Sequence, residues 1–233
     1  MKRSHVVSIL CLLLIGSFVL ASPPSGYHLL KKIPFGAAPG TIEYFDYITF
    51  DPATRRVYLS HGTEVKVLDA DSGSVVGTVS GLRRCHGIVV LNDLGRGFIT
   101  DGDAGQVVIF DLKTFKKVGE VKADMDADSI LYDPVSKHIF VFNGRPKSST
   151  VIDPVKGTVI ATIPLGGAPE QAVADGKGVI YDNLEDTNEV VAIDSRSLKI
   201  KSRWPVAPAG QPVAIAMDRQ HRRLFISGRN PSS

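Results

Sequence analysis

Short apolar runs separated by turn-forming residues make up most of the chain beyond its first 25 residues. One stretch shows the pattern well, because four such runs, at residues 129–132, 139–143, 150–153 and 159–164, are divided by Gly, Pro, Asn and Asp. The runs are rich in Val, Ile, Phe, Tyr and Thr, and no apolar stripe with a helical period persists. This pattern predicts β-strands joined by tight turns, with four strands to a unit.

The unit repeats at a constant spacing. Aspartates that follow apolar runs recur at steps of 42, 42 and 41 residues, at Asp69, Asp111, Asp153 and Asp194. A second series recurs at steps of 41, 41, 42 and 43 residues, at Asp51, Asn92, Asp133, Asp175 and Asp218. A period near 40 residues with four strands is typical of a β-propeller blade. We therefore predict an all-β propeller with complete four-stranded blades at residues 44–80, 86–122, 127–165 and 170–206.

The recurring aspartates are interpreted as turn residues. Asp69 begins the segment DADSG and Asp153 begins DPVKG, so that a glycine follows four residues later in both. An aspartate side chain accepts bonds from backbone N–H groups just ahead of it, and glycine adopts the positive φ of a tight hairpin. Phe115 and Leu198 take the place of that glycine after Asp111 and Asp194.

Several segments carry a resemblance to a known repeat. They are VYLS at 57–60, GFIT at 97–100, IFVF at 139–142, LFIS at 224–227, TVID at 150–153 and IPLGGAP at 163–169. These segments resemble the YVTN repeat of the YncE-like group of exported bacterial propellers, and the resemblance covers essentially the whole mature chain. It implies a ring of seven blades.

The number of units falls short of seven. Residues 27–36 read as an isolated fourth strand, and a fifth blade begins at Val213 and stops after its second strand. With the count that the resemblance implies, we expect a C-terminally truncated, incomplete ring of about five blades. A strand edge should then be exposed at residues 225–229.

The first residues have the composition of a secretory signal peptide. Lys2 and Arg3 precede an uncharged apolar segment at 6–21, and Ala21 fits the small residue before a cleavage site. We expect a mature domain at 22–233, located in the periplasm or secreted, with no stable membrane insertion after cleavage. Without Lys2 and Arg3, 25 of the 27 basic residues remain against 24 acidic ones, so the net charge gives no case for nucleic acid.

The remaining cysteine and several histidines are assigned structural roles. Cys85 has no cysteine partner in the mature chain and is expected to be a small buried apolar residue. His61 is expected to be an exposed residue of a hairpin. His138 and His221, at the starts of second strands, are also expected to be exposed.

Candidate chemistry lies where the first strands of the blades begin. Side chains from all blades of a propeller converge there, and the residues five positions before the second aspartate series are Asp46, Gly87, Asp128, Glu170 and Val213. His86 precedes Gly87. We predict ligand binding by Asp46, His86, Asp128 and Glu170 at the channel mouth, where carboxylates and an imidazole could hold a divalent cation. The alternative is that these side chains only line a hydrated channel.

Three functions are compatible with the sequence. The preferred one is a non-catalytic exported propeller that binds an unknown protein or small molecule on its loop face and is monomeric when full length. The second is a metal-assisted hydrolase or lyase that uses the acidic channel mouth. The third, nucleic-acid binding through the basic residues of 199–229, is disfavoured by the charge balance. No motif for a bound cofactor is present.

Overall fold

The structure is a computed structural model that describes residues 26–40 and 44–231. The chain divides into two units, Met1–Pro34 and Phe35–Ser233. The described part of the first unit, residues 26–34, contains no helix or strand. The predicted signal peptide at 1–21 lies outside the described residues. Within residues 26–40 and 44–231, no helix has both the length and the apolar character needed to cross a membrane.

Eighteen strands form five antiparallel sheets in the part of the chain that is described. The first sheet contains β1 (Phe45–Asp51), β2 (Arg56–His61), β3 (Glu64–Asp69) and β4 (Val75–Ser80). The second contains β5 (Cys85–Leu91), β6 (Arg96–Asp101), β7 (Gln106–Asp111) and β8 (Lys117–Lys122), with short 3-10 turns at Asn92–Leu94 and Gly102–Ala104. The third contains β9 (Ala127–Asp133), β10 (His138–Asn143), β11 (Ser148–Asp153) and β12 (Thr158–Pro164). The fourth contains β13 (Pro169–Ala174), β14 (Val179–Leu184), β15 (Glu189–Asp194) and β16 (Lys199–Pro205), and the fifth contains β17 (Ala209–Asp218) and β18 (Arg223–Pro231).

Each four-stranded sheet is a simple meander in which every strand pairs with its neighbours in sequence. The first strands of successive sheets lie beside one another, β1 against β5, β5 against β9, β9 against β13 and β13 against β17. This is a propeller-like arrangement, with the first strands innermost and the fourth strands outermost. The four predicted units are confirmed, since their bounds agree with the four-stranded sheets to within one residue.

Apolar side chains fill the spaces between successive sheets. Tyr58 of the first sheet meets Phe110 of the second, with ring centroids 6.1 Å apart, and both side chains are fully buried. Burial of one such ring contributes about 1.5 to 3 kcal/mol. Gly97 makes this packing possible, because a Cβ at that position would lie 2.1 Å from the Phe110 ring. Each sheet thus depends on its neighbour for a core.

The outer turns follow the predicted aspartate chemistry. Asp111 accepts the backbone N–H groups of Lys113 and Thr114 at 3.0 and 2.7 Å, and the other three aspartates of its series make similar bonds. Phe115 and Leu198 both adopt a φ of 57°. These two residues therefore take the left-handed conformation that glycine takes in the other two turns, although side chains disfavour it.

The structure corrects three expectations. Residues 27–36 form no strand, because none of the eighteen strands pairs with them, and an extended segment without a ladder partner gains no backbone hydrogen bonds. His61 is fully buried, because it ends β2 and stacks on Phe45 with ring centroids 4.3 Å apart. His138 is only half exposed, and its Nδ1 is buried.

Other expectations about exposure are confirmed. His221 is exposed at 59% of its side chain, and Cys85 is buried. Within the described residues β18 pairs with β17 alone, and Phe225 on it is 59% exposed. The edge of β18 is therefore open, as the sequence predicts.

Candidate functional site

The candidate site is built on a backbone irregularity that recurs in every first strand. Near the start of β1, β5, β9, β13 and β17 the pairing with the second strand shifts register. Bulges of this kind interrupt the ladder and re-aim side chains. The first residues without a pairing partner at the five shifts are Asp46, His86, Asp128, Glu170 and Val213.

The register shows that His86, and not Gly87, is the equivalent of Asp46. Leu91 pairs with Arg96 as Asp51 pairs with Arg56. Leu91, and not Asn92, is therefore the structural equivalent of Asp51 in the second sheet. Asn92 instead opens a 3-10 turn and donates its Nδ2–H to Asp51 Oδ1 at 2.9 Å. The one-residue difference in that turn explains why spacing alone placed Gly87 at this position.

All four predicted site residues line one cavity of about 580 Å³ at the bulged ends of the first strands. The lining also includes three further acidic or basic residues and two tyrosines, namely Arg84, Asp126, Arg229, Tyr44 and Tyr47. Carboxylates outnumber the cationic side chains around this space. We call it the central cavity.

Asp46, His86 and Asp128 form the tightest group in the cavity. The Nδ1 atom of His86 lies 2.5 Å from Asp46 Oδ2 and 3.4 Å from Asp128 Oδ1. One ligand atom from each of the three residues lies within 4.8 Å of the other two. His86 is only 2% exposed, so its ring is fixed between the two carboxylates.

Two tyrosines border this group. The Tyr44 hydroxyl donates to Asp46 Oδ2 at 3.0 Å. Burial, followed by the charge of Asp46, raises the pKa of Tyr44 to about 12. Burial, followed by the charge of Asp128, raises the pKa of Tyr47 far above its ordinary value. Both phenols therefore stay neutral and can serve as hydrogen-bond donors at neutral pH.

Asp128 is a carboxyl group short of donors. Its Oδ1 is buried and accepts no hydrogen bond from the described residues, since the His86 contact of 3.4 Å is an ion-pair distance only. Burial raises the pKa of Asp128 to about 6, although the nearby His86 acts in the opposite direction. A buried carboxyl with so few donors favours either a proton or a cation beside it.

Glu170 lies at the other end of the cavity, in contact with a second carboxyl group. Burial raises the pKa of Glu170 to about 8, and the hydrogen bond with Glu185 adds to this effect. Arg229 partly compensates both acids, because it forms an ion pair with Glu185 and lies 3.8 Å from Glu170.

Asp182 is a member of this acidic group that spacing did not identify. It is fully buried on β14, and neither of its carboxyl oxygens has a hydrogen-bond partner among the described residues. Burial and the charges of Glu170 and Asp128 raise its pKa well above the ordinary value. The pairing register places it opposite Ala172, the position that is aliphatic in the other four sheets, at Leu59, Ile99, Val141 and Ile226. That exception in an otherwise aliphatic column was a signal available in the sequence.

Basic residues occupy the edge of the cavity. Arg84 lies 3.4 Å from Asp126 and 3.9 Å from Asp103, and its guanidinium lies over the Tyr44 ring at 5.9 Å from the centroid. Its side chain is 42% exposed. The inner cavity is therefore acidic, and the arginines compensate mainly the acids at its edge.

Comparisons with known proteins support the fold. No protein-family model and no curated protein matches this sequence. The structure is similar to hydrazine synthase from Kuenenia stuttgartiensis, with a TM-score of 0.70 and 17% identity, over 82% of this chain and 56% of that chain. It is also similar to a protein of unknown function from Bacteroides caccae, with a TM-score of 0.61 and 12% identity, over 78% of this chain and 69% of that one. At these identities the likeness shows the propeller-like fold and no activity.

Proposed function

We propose that this chain is a non-catalytic binding propeller that takes up a positively charged ligand in its central cavity. The observation that carries the proposal is the convergence of Asp46, His86, Asp128 and Glu170, from four successive sheets, on one space of about 580 Å³. A concave, partly buried space with a few converging polar groups is the usual form of a small-molecule site.

Charge defines the class of ligand. Asp128 Oδ1 and both carboxyl oxygens of Asp182 accept no hydrogen bond from the described residues, and Glu170 lies against a second acid, Glu185. Such carboxyl groups are costly to ionise in a buried site unless a cation neutralises them. A positively charged ligand would therefore bind favourably here, because it would neutralise carboxyl groups that the cationic side chains of the protein compensate only in part.

The cellular setting of the proposal comes from the sequence. The signal-peptide pattern at 1–21 and the resemblance to exported YVTN-repeat propellers support action outside the cytoplasm. In that setting a binding propeller meets small extracellular cations directly. The alternative is that a protein partner binds on the face of the propeller that carries the loops between successive sheets.

Isothermal titration calorimetry of the full chain with hexaamminecobalt(III) tests the proposal. This cation does not exchange its ammine ligands, so its binding reports electrostatic and hydrogen-bonding interactions and not direct coordination of the metal. At pH 8.5, where Asp128 and Glu170 are both largely ionised, we expect one site per chain, binding that weakens with salt, and about a tenfold loss of affinity in Asp128→Asn or Glu170→Gln, since one close charge contributes on the order of 1 to 4 kcal/mol. The control Glu120→Gln removes an exposed acid outside the cavity and should bind as the wild type does. Equal affinity in all variants would overturn the proposal.

A second candidate is a metal-assisted hydrolase or lyase. The observation in its favour is the grouping of two carboxylates and one imidazole within 4.8 Å. A cation held there could polarise a carbonyl or activate a water molecule. Turnover of a panel of chromogenic carboxylic and phosphoric esters by the metal-loaded chain, lost in Asp128→Ala, would favour the enzyme over the binding protein.

A further inference from the structure

We propose that Asp46, His86 and Asp128 form a binding site for one divalent first-row transition-metal ion. The inference rests on the proposed function, because it identifies the positive charge that the central cavity takes up. It assigns the ion to the end of the cavity where β1, β5 and β9 meet and not to the end at Glu170.

The distances fit a metal site with little movement. Metal–ligand bonds of about 2.0–2.2 Å in a tetrahedral site place neighbouring ligand atoms about 3.3–3.6 Å apart. His86 Nδ1 and Asp128 Oδ1 are already separated by 3.4 Å. Asp46 Oδ2, at 2.5 Å from the same nitrogen, would retreat by somewhat less than 1 Å as the ion takes the place of the proton between them. Asp46 keeps 25% of its side chain exposed, so that it has room to do so.

The donor set selects the type of ion. One imidazole nitrogen with two carboxylate oxygens suits Zn²⁺ and its first-row neighbours, whereas Ca²⁺ and Mg²⁺ prefer oxygen ligands alone. The carboxyl groups at the other end of the cavity do not join the group within 4.8 Å. An oxygen-only cation site is thus not assembled from Glu170 and Asp182 in this geometry.

A second observation is that buried carboxyl oxygens beside the proposed site have no hydrogen-bond partners among the described residues. Asp182 is fully buried, and its two carboxyl oxygens accept no hydrogen bond from the described residues. Asp128 Oδ1 is buried without a hydrogen bond as well. Buried carboxyl oxygens are almost always paired, and an ion beside Asp128 would supply positive charge to both groups.

The absence of a side chain at Gly102 leaves room for the His86 ring. A Cβ added at Gly102 would lie 3.1 Å from His86 Nε2 and 3.2 Å from the carbonyl oxygen of Ala127. Gly102→Ala therefore presses on the ring without touching a ligand atom. Gly102 acts in this way as a positioning residue for His86.

The experiment is a titration of the full chain with Zn²⁺, read by calorimetry and by elemental analysis of the dialysed protein. We expect one ion per chain, affinity that rises from Mn²⁺ through Co²⁺ to Ni²⁺, and no competition by a hundredfold excess of Ca²⁺. His86→Gln should lower the Zn²⁺ affinity by at least a hundredfold, and Gly102→Ala by about tenfold. Co²⁺ gives a visible absorption spectrum that should change in Gly102→Ala even where the stoichiometry does not.

A matched control exists elsewhere in the chain. His221 Nδ1 lies 2.6 Å from Asp218 Oδ2, a pair that is similar to His86 and Asp46 but more exposed, and no third ligand among residues 26–40 and 44–231 groups with it. His221→Gln should leave Zn²⁺ binding unchanged. Thermal unfolding verifies that each variant is folded, and Asp46→Asn, at a partly exposed position, decides the question if His86→Gln does not fold.

The results separate this inference from the broader proposal. Zn²⁺ and hexaamminecobalt(III) that compete for one site support both. Hexaamminecobalt(III) binding without Zn²⁺ binding, or Zn²⁺ binding that survives His86→Gln, overturns the metal site and leaves the cationic cavity standing. If neither ion binds, both proposals fall.

Discussion

The outer turns and the central cavity use the same residue type in opposite ways. Asp111, in the turn between β7 and β8, is partly exposed and accepts two backbone N–H groups and the Thr114 hydroxyl. These bonds lower its pKa. Asp128, at the start of β9, is also partly exposed, but its Oδ1 is buried without a hydrogen bond from the described residues, and burial raises its pKa to about 6.

The contrast holds across both sets. The turn aspartates of the same series all have a lowered pKa, at Asp69, Asp111, Asp153 and Asp194. The acids of the cavity have a raised pKa where a shift is resolved, at Asp128, Glu170 and Asp182. Local donors and solvent, and not the residue type, therefore decide whether the pKa of an acid in this fold is lowered or raised.

The largest expected effect comes from removing the buried acid without donors. Asp182→Leu gives the fourth sheet the aliphatic side chain that the other sheets have at this position. We expect the free energy of unfolding to rise by about 1 to 3 kcal/mol, because a buried polar group without partners costs that much. Chemical denaturation at pH 7.5 measures it. An unchanged or lower stability would show that Asp182 has a partner in solution.

The cavity acids and the turn aspartates should change the free energy of unfolding in opposite directions as the pH rises. Glu170 holds its proton in the folded state up to a pKa of about 8, whereas the unfolded chain releases it near the ordinary value of 4.5. The folded state binds more protons in this interval, so stability is greatest below pH 4.5 for this group and falls as the pH rises to about 8. We expect a loss on the order of 2 kcal/mol, given about 1.4 kcal/mol for each pKa unit and a reduction by solvent screening, because Glu170 is only partly buried.

Denaturation curves at pH 5 and pH 8.5 measure this loss. In Glu170→Gln the difference between the two pH values should shrink, because glutamine does not titrate. A wild-type stability that rises over the same interval would contradict the raised pKa of Glu170.

The smallest effect is expected at the turns. The lowered pKa of Asp111 contributes stability above the unfolded value of 3.8, and this contribution is lost as the pH falls below it. Asp111→Asn should lower the melting temperature at pH 7 by only a few degrees, and the difference from wild type should vanish near pH 2.5. Differential scanning calorimetry at the two pH values tests this. A difference that grows in acid would reverse the sign assigned to the turn aspartates.

Most of the fold was predictable because the repeat is local. The four-strand units follow from apolar runs and turn residues, and the observed bounds differ from the predicted ones by a single residue. Residues 27–36 were mispredicted as a strand because pairing with a distant partner leaves no mark in a local pattern. His61 was mispredicted for a related reason, since stacking on Phe45 is a contact between strands.

The location of the candidate site was predictable from the sequence, but the strand register that aligns its residues was not. The spacing indicated Asp46, Asp128 and Glu170, which the structure places around one cavity. It aligned Gly87 in place of His86, because the bulge in β5 and the 3-10 turn after it alter the register without a distinctive residue. Whether these residues bind a ligand remains a prediction.

The recurring bulge also bears on how such a protein can diversify. Residues within a ladder keep their strand geometry and their packing against the adjacent sheet, so change there is constrained in every copy of the repeat. The residue at the bulge has no pairing partner to preserve, and the five copies hold Asp, His, Asp, Glu and Val there. A duplicated scaffold thereby keeps its architecture uniform while one place per copy is free to acquire new chemistry.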